Sequence, residues 1–580
     1  MKKVKKNRAE ELTLELEKNK ISSAPLMEAK VGKKVVNFKK YDQNQYVSVP
    51  IDIASFIGEG HIVRIIDGVV EAMDMEVLES YYVGGGSSSY HPKMLIKVWL
   101  YGYCTKVYTS RPLSKAMVEQ LPFMWLSGGQ SPCFKTLSEF RGERLQGLID
   151  EVFKEVLVML LEQGYINLED IYVDGSKWEA NGNKHKVVWA KNTERYKLGV
   201  IERIEGLLKD VQALQAAEDA SYGTRHLESM GEGKDVNIVL NSEQVKSHMQ
   251  SLQSLIAQKA EQGQDKTEQK QVQQLNRLSK ELAKEAVKIE KYEQQEAILD
   301  GRNSYNKTDN DATMLRMKDE QLLAAYNVQH STDNQYVTNY TVGQTASDSP
   351  TLPGHLDKFE QRLEGIAKPE QQNVVSDAGY GSEENYADLE KRGLAAYVKY
   401  PLFYQEQTGE ILKSKFRREN FPYDAQNDTF TCPNKRTLIF DHEEKVKTKT
   451  GYEREIRVYQ CESCQDCPFA AECKKTEHGE RSVQMSPKGE VYKAKAKAKL
   501  TSEKGIEFRK KRSIEVESVF GDLKYNMKHE RFILRSLEKV YVEYGLLAIA
   551  HNLRKVYCHQ SGIWADYYAQ RAAKKAQKRA

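Results

Sequence analysis

Two short runs constrain this chain more than anything else in it. IYVDGS at 171–176 and NVVSDAGYGS at 373–382 each close an apolar, β-prone stretch with an aspartate, Asp174 and Asp377. Such a run reads as a buried strand, with the carboxylate where the strand exits into a turn. An aspartate there can cap the turn or a following helix. It can also serve as a rigidly held oxygen ligand. A third stretch, RSIEVESVFGDLK at 512–524, has helical spacing, with Val516, Val519, Phe520 and Leu523 as its apolar face and Glu517 among its polar positions. The three carboxylates are expected to meet in space and hold divalent metal ions.

The chain has 580 residues, enough for several domains and at least one large core. Its 87 Lys and Arg nearly balance 83 Asp and Glu, and a formal charge of +4 is too small to name nucleic acid as a partner. The distribution says more. The chain opens on MKKVKKNR and closes on RAAKKAQKRA, basic tails that suit phosphate contact and equally suit solubility. No run of about 18 apolar residues spans a membrane, and no apolar signal core follows the N-terminus. Eight cysteines in this length are no disulfide framework, so a cytoplasmic protein is expected.

Along the chain, residues 1–45 form a basic, flexible lead. Residues 46–165 show apolar spacings of three and four, broken at Arg111-Pro112 and Gly128-Gly129 and ending in a long amphipathic helix stopped by Gly164. This helical domain either binds DNA or only packs on the rest. Residues 185–304 are rich in Glu, Lys and Gln with leucines at helical spacing. They read as an insertion, a helical hairpin or coiled coil turning near Tyr222-Gly223 and Gly231-Glu232-Gly233. Residues 324–333 and 335–345 predict a strand hairpin turning at Asp333-Asn334, followed by helix, strand, helix and strand up to about 400. Residues 401–500 interrupt this pattern with a cysteine-rich insertion. Residues 501–557 return to helix, and 558–580 form a basic tail. The fold class is α/β: a mixed-sheet core from 166–184, 305–400 and 501–557, an N-terminal helical domain and two insertions.

Hard oxygen ligands suit Mg²⁺ or Mn²⁺, and phosphoryl transfer by two such ions needs carboxylates that fix them about 4 Å apart. Asp174 and Asp377 are the strand-end candidates. Glu517 is preferred to Glu515 because Lys524 lies two helical turns beyond it, whereas Asp522 holds that position for Glu515. Arg512 and Lys524 are then cations beside the carboxylate, suited to phosphates.

Five cysteines cluster in CPNKRTLIF…CESCQDCPFAAEC: Cys432, Cys461, Cys464, Cys467 and Cys473. Grouped thiolates in a reducing compartment suit structural Zn²⁺, which needs four of the five. A reduced, metal-free cluster is the alternative, and nothing suggests the electron transfer of an iron–sulfur centre.

The pattern DGS…SDAGYGS…RSIEVESVFGDLK…RFILRSLEKVYVEYGLLAIAHNLRK resembles the DDE transposases of bacterial insertion sequences, in the branch whose last motif has an arginine, then VE-x-x-FG-x-L/I-K, then RF-x-x-R. The resemblance runs from about residue 45 to 557. It implies an RNase H-like core, Asp174, Asp377 and Glu517 as metal ligands, and Lys524 and Arg512 as DNA contacts. Arg531 and Arg535 of the RFILR step join them as expected DNA contacts. Related branches place a tyrosine ahead of that arginine, where Phe508 and Arg509 stand nearby in this chain. The implied function is a transposase that binds the inverted repeats of its element, cleaves the ends and joins them to target DNA. It would act as at least a dimer, with no membrane partner. The alternatives are a catalytically silent DNA-binding relative and a nuclease without strand transfer.

Overall fold

The computed structural model describes residues 38–43, 52–80, 82, 88–222, 241–262, 266–474 and 479–562. The basic termini and the turn at Gly231-Glu232-Gly233 lie outside the described residues.

The N-terminal part is helical. Its main helices are α1 (Ile62–Glu71), α2 (Pro92–Cys104) and α3 (Leu145–Glu162), with shorter helices between α2 and α3. Helix α2 starts on Pro92, with the His91 ring accepting from the Lys93 amide. Every residue of α2 is buried, including Lys97. That lysine is tolerated because its ammonium pairs with Asp67 at 2.5 Å and with Glu71. Gly128 and Gly129, at φ 56° and 71°, make the expected break, and Gly164 at φ 70° ends α3.

The main sheet is mixed. It holds β1 (Asp170–Glu179), β2 (Thr313–Arg316), β3 (Leu322–Asp333), β4 (Tyr336–Gly343), β5 (Asn373–Ser376) and β6 (Ala395–Val398). The strand path runs β2-β3-β1-β5-β6, and β4 also pairs with β3. β3 is antiparallel to β1, β2 and β4, whereas β1, β5 and β6 are parallel. The hairpin β3–β4 turns where expected, with Asn334 and Gln335 both at positive φ. Helix α7 (Leu352–Arg362) follows β4, and α8 (Glu383–Lys391) links β5 to β6.

The last helix, α11 (Leu537–Gln560), is the spine. It is apolar almost all round from Val540 to Val556, as a fully enclosed helix must be. It packs on α2, α3 and β4, joining the N-terminal helices and the sheet in one core. Asn552 bonds both the N–H and the C=O of Val337, satisfying the backbone of β4.

Helices α4 (Ala190–Tyr222), α5 (Ser242–Gln262) and α6 (Lys266–Leu299) form an arm. Pairs Thr193–Gln295, Arg203–Glu285 and Lys246–Glu290 set α4 and α5 antiparallel to α6. The arm has its own small core of Val200, Ile204, Val245, Leu252, Leu275, Leu282 and Ile289. Three packed helices thus stand where a two-helix hairpin or coiled coil was expected. Residues 423–485 also exceed expectation. They form a second, antiparallel sheet of β7 (Tyr423–Asp424), β8 (Thr429–Thr431), β9 (Thr437–Lys447), β10 (Glu453–Cys461) and β11 (Ser482–Met485). The chain re-enters the core through α9 (Pro487–Thr501) and α10 (Glu503–Arg512).

Two ionic groups, Glu543 wholly buried and Asp522 partly so, hold the C-terminal segment. Glu543, wholly buried on α11, accepts from the amides of Ile533 and Leu534 and faces His529 Nε2 at 2.8 Å. Glu543→Ala would strand these donors in the core and should lower the unfolding free energy by about 3 kcal/mol or more in a urea titration. Asp522 faces His551 Nδ1 at 2.8 Å. Burial pushes its carboxyl up, but the bond and charge of His551, the Asn526 amide and Arg554 outweigh this and hold it at about 2. An aspartate depressed in this way stabilises the fold fully above its ordinary value of roughly 4, and the contribution is lost as pH falls through about 2. Asp522→Asn should therefore cost about 2 kcal/mol at pH 7. In stability measured against pH, its deficit should stay flat down to about pH 4 and shrink below it.

Candidate active site

Strand pairing builds the site. Val173 stands beside Ser376 at the end of the parallel ladder of β1 and β5, so Asp174 and Asp377 come next on two adjacent strands. Asp377 leaves β5 there, as expected, but Asp174 is not at a strand exit: β1 runs on to Glu179, and Asp174 is still paired with His330 of β3. Asp377 turns into a short 3-10 segment and accepts from the Gly379 amide at 2.8 Å, so it also does the capping work its sequence allows. The glycines of DAGYGS have a steric cause. A Cβ on Gly381 would lie 2.1 Å from the Lys399 carbonyl oxygen, so the turn passes directly against the backbone that follows β6.

The stretch 512–524 is helical but not a regular α-helix. It passes through π turns at Ser513–Glu517 and Asp522–Asn526 around one short α turn, Ser518–Gly521. The 3.6-residue period that placed Glu517 and Lys524 on one face does not hold across it. Its apolar side docks on the strands that carry the aspartates. Val516 packs with Tyr172, Val375 and Phe508, and Phe520 stacks flat on His330, the cross-strand partner of Asp174, at 3.7 Å between centroids.

This docking puts Arg512 against both aspartates. Its Nη1 lies 3.2 Å from Asp174 Oδ2 and its Nη2 lies 3.6 Å from Asp377 Oδ2. Nη1 is buried and lacks the alignment of a hydrogen bond, so the contact is an ion pair. Burial raises Asp174 to about 6; Arg512 and the Gly175 amide oppose that rise, while Asp377 and Asp348 add to it. Glu517 is exposed and makes no ion pair or side-chain hydrogen bond among the described residues. Glu515 is 3 % exposed, accepts from the Gln335 amide at 2.6 Å and lies 3.9 Å from Lys511. Of the two glutamates, only Glu517 is free to bind.

The remaining cations sit differently from expectation. Lys524 Nζ donates to Ser176 Oγ at 2.7 Å and to the Lys177 carbonyl at 2.8 Å, over the Trp178 ring. Burial lowers it to about 8. Arg531 bonds the carbonyls of Ala180 and Gly182, and Arg535 bonds that of Asn181. All three grip β1 or the loop after it; Arg531 and Arg535 are still exposed. Two neighbours were missed from the sequence. Lys399, after β6, is half-buried; burial and the guanidiniums of Arg512 and Arg509 lower it, while Asp377 and Glu517 oppose them. Its only signal was a strand-end position in AAYVKY. Asp348, in the loop after β4, is the other.

Hard carboxylate oxygens around a buried cation are the right donors for a divalent metal. As they stand, however, no three His, Cys, Asp or Glu among the described residues are grouped closely enough to hold an ion. The same holds for the cysteines. Cys432, Cys464 and Cys473 pack against Cys461, Phe421, Phe430, Leu438 and Tyr459. Burial pushes Cys461 up to about 12 and raises Cys464 and Cys473. The Sγ atoms of Cys432 and Cys464 accept from the Arg436 and Arg481 amides, and no three cysteines among the described residues are grouped to hold an ion, so structural zinc is not supported here.

No curated protein and no solved structure matches the chain. Two family models do. Residues 431–557 match a Transposase DDE domain, a span that holds Arg512, Glu517, Lys524 and the clustered cysteines. Residues 51–143, within the helical N-terminal part, match a Transposase domain (DUF772). Asp174 and Asp377 lie outside both spans. The two matches, both to transposase domains, indicate a DDE-type insertion-sequence transposase.

Proposed function

We propose that this transposase binds the terminal inverted repeats of its element, cleaves the DNA there and joins the freed ends to target DNA, with Asp174, Asp377 and Glu517 holding divalent metal ions. The observation that carries this reading is the Arg512 bridge. The helical segment bearing Glu517 sends one guanidinium to both aspartates. An RNase H-like core is supported by the sheet: β4-β3-β1 antiparallel, then β1-β5-β6 parallel, with the aspartates on β1 and just past β5.

Asp174 and Asp377 supply oxygens fixed by the ladder. Glu517 supplies one from a side chain with rotameric freedom. Bound between them, Mg²⁺ or Mn²⁺ would lower the pKa of the attacking water or 3′-hydroxyl and stabilise the leaving oxygen. Arg512 neutralises the aspartates and stands beside the path of a scissile phosphate, where a guanidinium can take two phosphate oxygens. Exposed Arg531 and Arg535 are suited to the DNA backbone. Lys524 acts as a strut between the glutamate segment and β1. Two ends must be brought together, so the active assembly contains at least two copies.

Asp174→Asn, Asp377→Asn and Glu517→Gln should each cut Mg²⁺-dependent end cleavage by roughly 100-fold or more. End affinity should stay within about threefold. Full cleavage by any one of them removes that residue from the set. Glu515→Gln should leave cleavage near normal while lowering the melting temperature. Lys524→Met separates strut from phosphate contact. A strut predicts earlier melting and an unchanged salt dependence of DNA binding. A phosphate contact predicts a log–log slope shallower by about 1. Strand transfer of precleaved ends distinguishes a transposase from a nuclease.

A further inference from the structure

The parallel ladder that aligns the two aspartates continues one strand further. Val173 pairs with Ser376, and Ser376 pairs with Val398 of β6. The residues that follow these three are Asp174, Asp377 and Lys399, so one row across the sheet ends in two carboxylates and an ammonium. The Lys399 amide donates to the Ser376 carbonyl at 3.3 Å, which keeps the lysine in that row as β6 ends. Residues level with one another on parallel strands project from the same face of a sheet. The half-buried Lys399 side chain therefore emerges on the side of the aspartates, and Arg512, Asp377, Arg509 and Glu517 all act on its charge.

Arg509 is the third cation here. It stands three residues before Arg512 on α10, so the two share a helical face. Its guanidinium lies 5.1 Å from the centroid of the Phe403 ring, and its Nε is buried with no hydrogen-bond partner. Asp174 and Asp377 both pair with Arg512. Lys399 and Arg509 make no ion pair and no side-chain hydrogen bond among the described residues. The lysines of the preceding helix, α9, are placed otherwise: Lys493 and Lys497 pair with Glu406, and Lys495 pairs with Glu390. Cations gathered on one side repel one another, and donors withdrawn from water without a partner are costly. Both costs are relieved by an acceptor that arrives from outside with negative charge. The two free oxygens of a phosphodiester suit an arginine fork and a lysine ammonium together.

We propose that Lys399 and Arg509 bind a DNA phosphate on the β6 side of Asp377, next along the cleaved strand from the phosphate at the paired aspartates. This rests on the reading of Asp174 and Asp377 as the place of DNA cleavage. The pair grips the strand beside the reacting group and so sets which phosphate faces the aspartates.

The test is binding of the full-length protein to a duplex carrying the terminal repeat that flanks its gene, followed by fluorescence anisotropy over a range of KCl concentrations. Lys399→Gln and Arg509→Gln should each make the log–log salt slope shallower by about 1, and Lys399→Arg should keep the wild-type slope. A duplex with an uncharged methylphosphonate in place of that neighbouring phosphate should lower the wild-type slope and leave that of K399Q where it was. A folded K399Q with the wild-type slope overturns the proposal, as does a methylphosphonate that changes K399Q and wild type alike. If K399Q does not fold, R509Q carries the same two outcomes. End cleavage lost in Asp174→Asn alongside an unchanged slope in K399Q removes only the phosphate site. Wild-type binding with no salt dependence at all removes DNA as the partner, and the proposed function falls with it.

Discussion

Everything at the site depends on the parallel pairing of β1 with β5. Four residue pairs, from Asp170–Asn373 to Val173–Ser376, fix the register, and the next residue on each strand is an aspartate. Like charges brought side by side repel, and Asp174 is largely withdrawn from water. The ladder can hold them there because Arg512 supplies an opposite charge to both. The guanidinium does what a metal ion would do electrostatically, while leaving the carboxylates in the form a metal needs.

The cation arrives with its own scaffold. Phe520 on His330 and Val516 among Tyr172, Val375 and Phe508 bind the 512–524 segment to the strands beneath it. Lys524 ties the same segment to Ser176 and Lys177, within three residues of Asp174. Behind it, Asp522 is held by His551, and Glu543 gathers the loop of residues 529–534, both from α11. Helix α11 also packs on α2 and α3. The helical N-terminal part and the main sheet thus share one buried helix, so the two matched transposase domains form one continuous core rather than beads on a string.

Much of this was legible because two periodicities are strong. Buried β runs closing on an aspartate named β1 and β5, although β1 runs on past Asp174 to Glu179, and a hairpin turn at Asp333-Asn334 named β3 and β4. The rest was hidden for physical reasons. The π turns at 513–517 and 522–526 break the 3.6-residue repeat, so the inward path of Lys524 could not be read from spacing. Asp348 lies in TASDSPT, where an aspartate reads as an ordinary turn residue, and its place beside Asp174 and Asp377 is set by Asn327 and Gln329 on another strand. The second sheet escaped notice because β9 is mostly exposed and carries charges at successive positions, giving no alternation to detect. The cysteines drew attention to a metal, whereas the segment's order comes from strands packed around Tyr459 and Phe430.

The three proposed carboxylates differ in how they are held, and that difference has a consequence. Asp174 is fixed by backbone pairing, and Asp377 caps the turn directly after the same ladder. Glu517 is exposed and makes no ion pair or side-chain hydrogen bond among the described residues, in a π turn where the backbone is less tightly wound than in an α-helix. In the proposed site two carboxylates are thus held in place, and the third comes from a side chain that must still be ordered. Preorganisation favours a metal only where its ligands are already in place. The entropy of fixing Glu517 is therefore what the proposed assembly must offset, and DNA laid along Arg512 would supply the phosphate charge that draws the cation and Glu517 together.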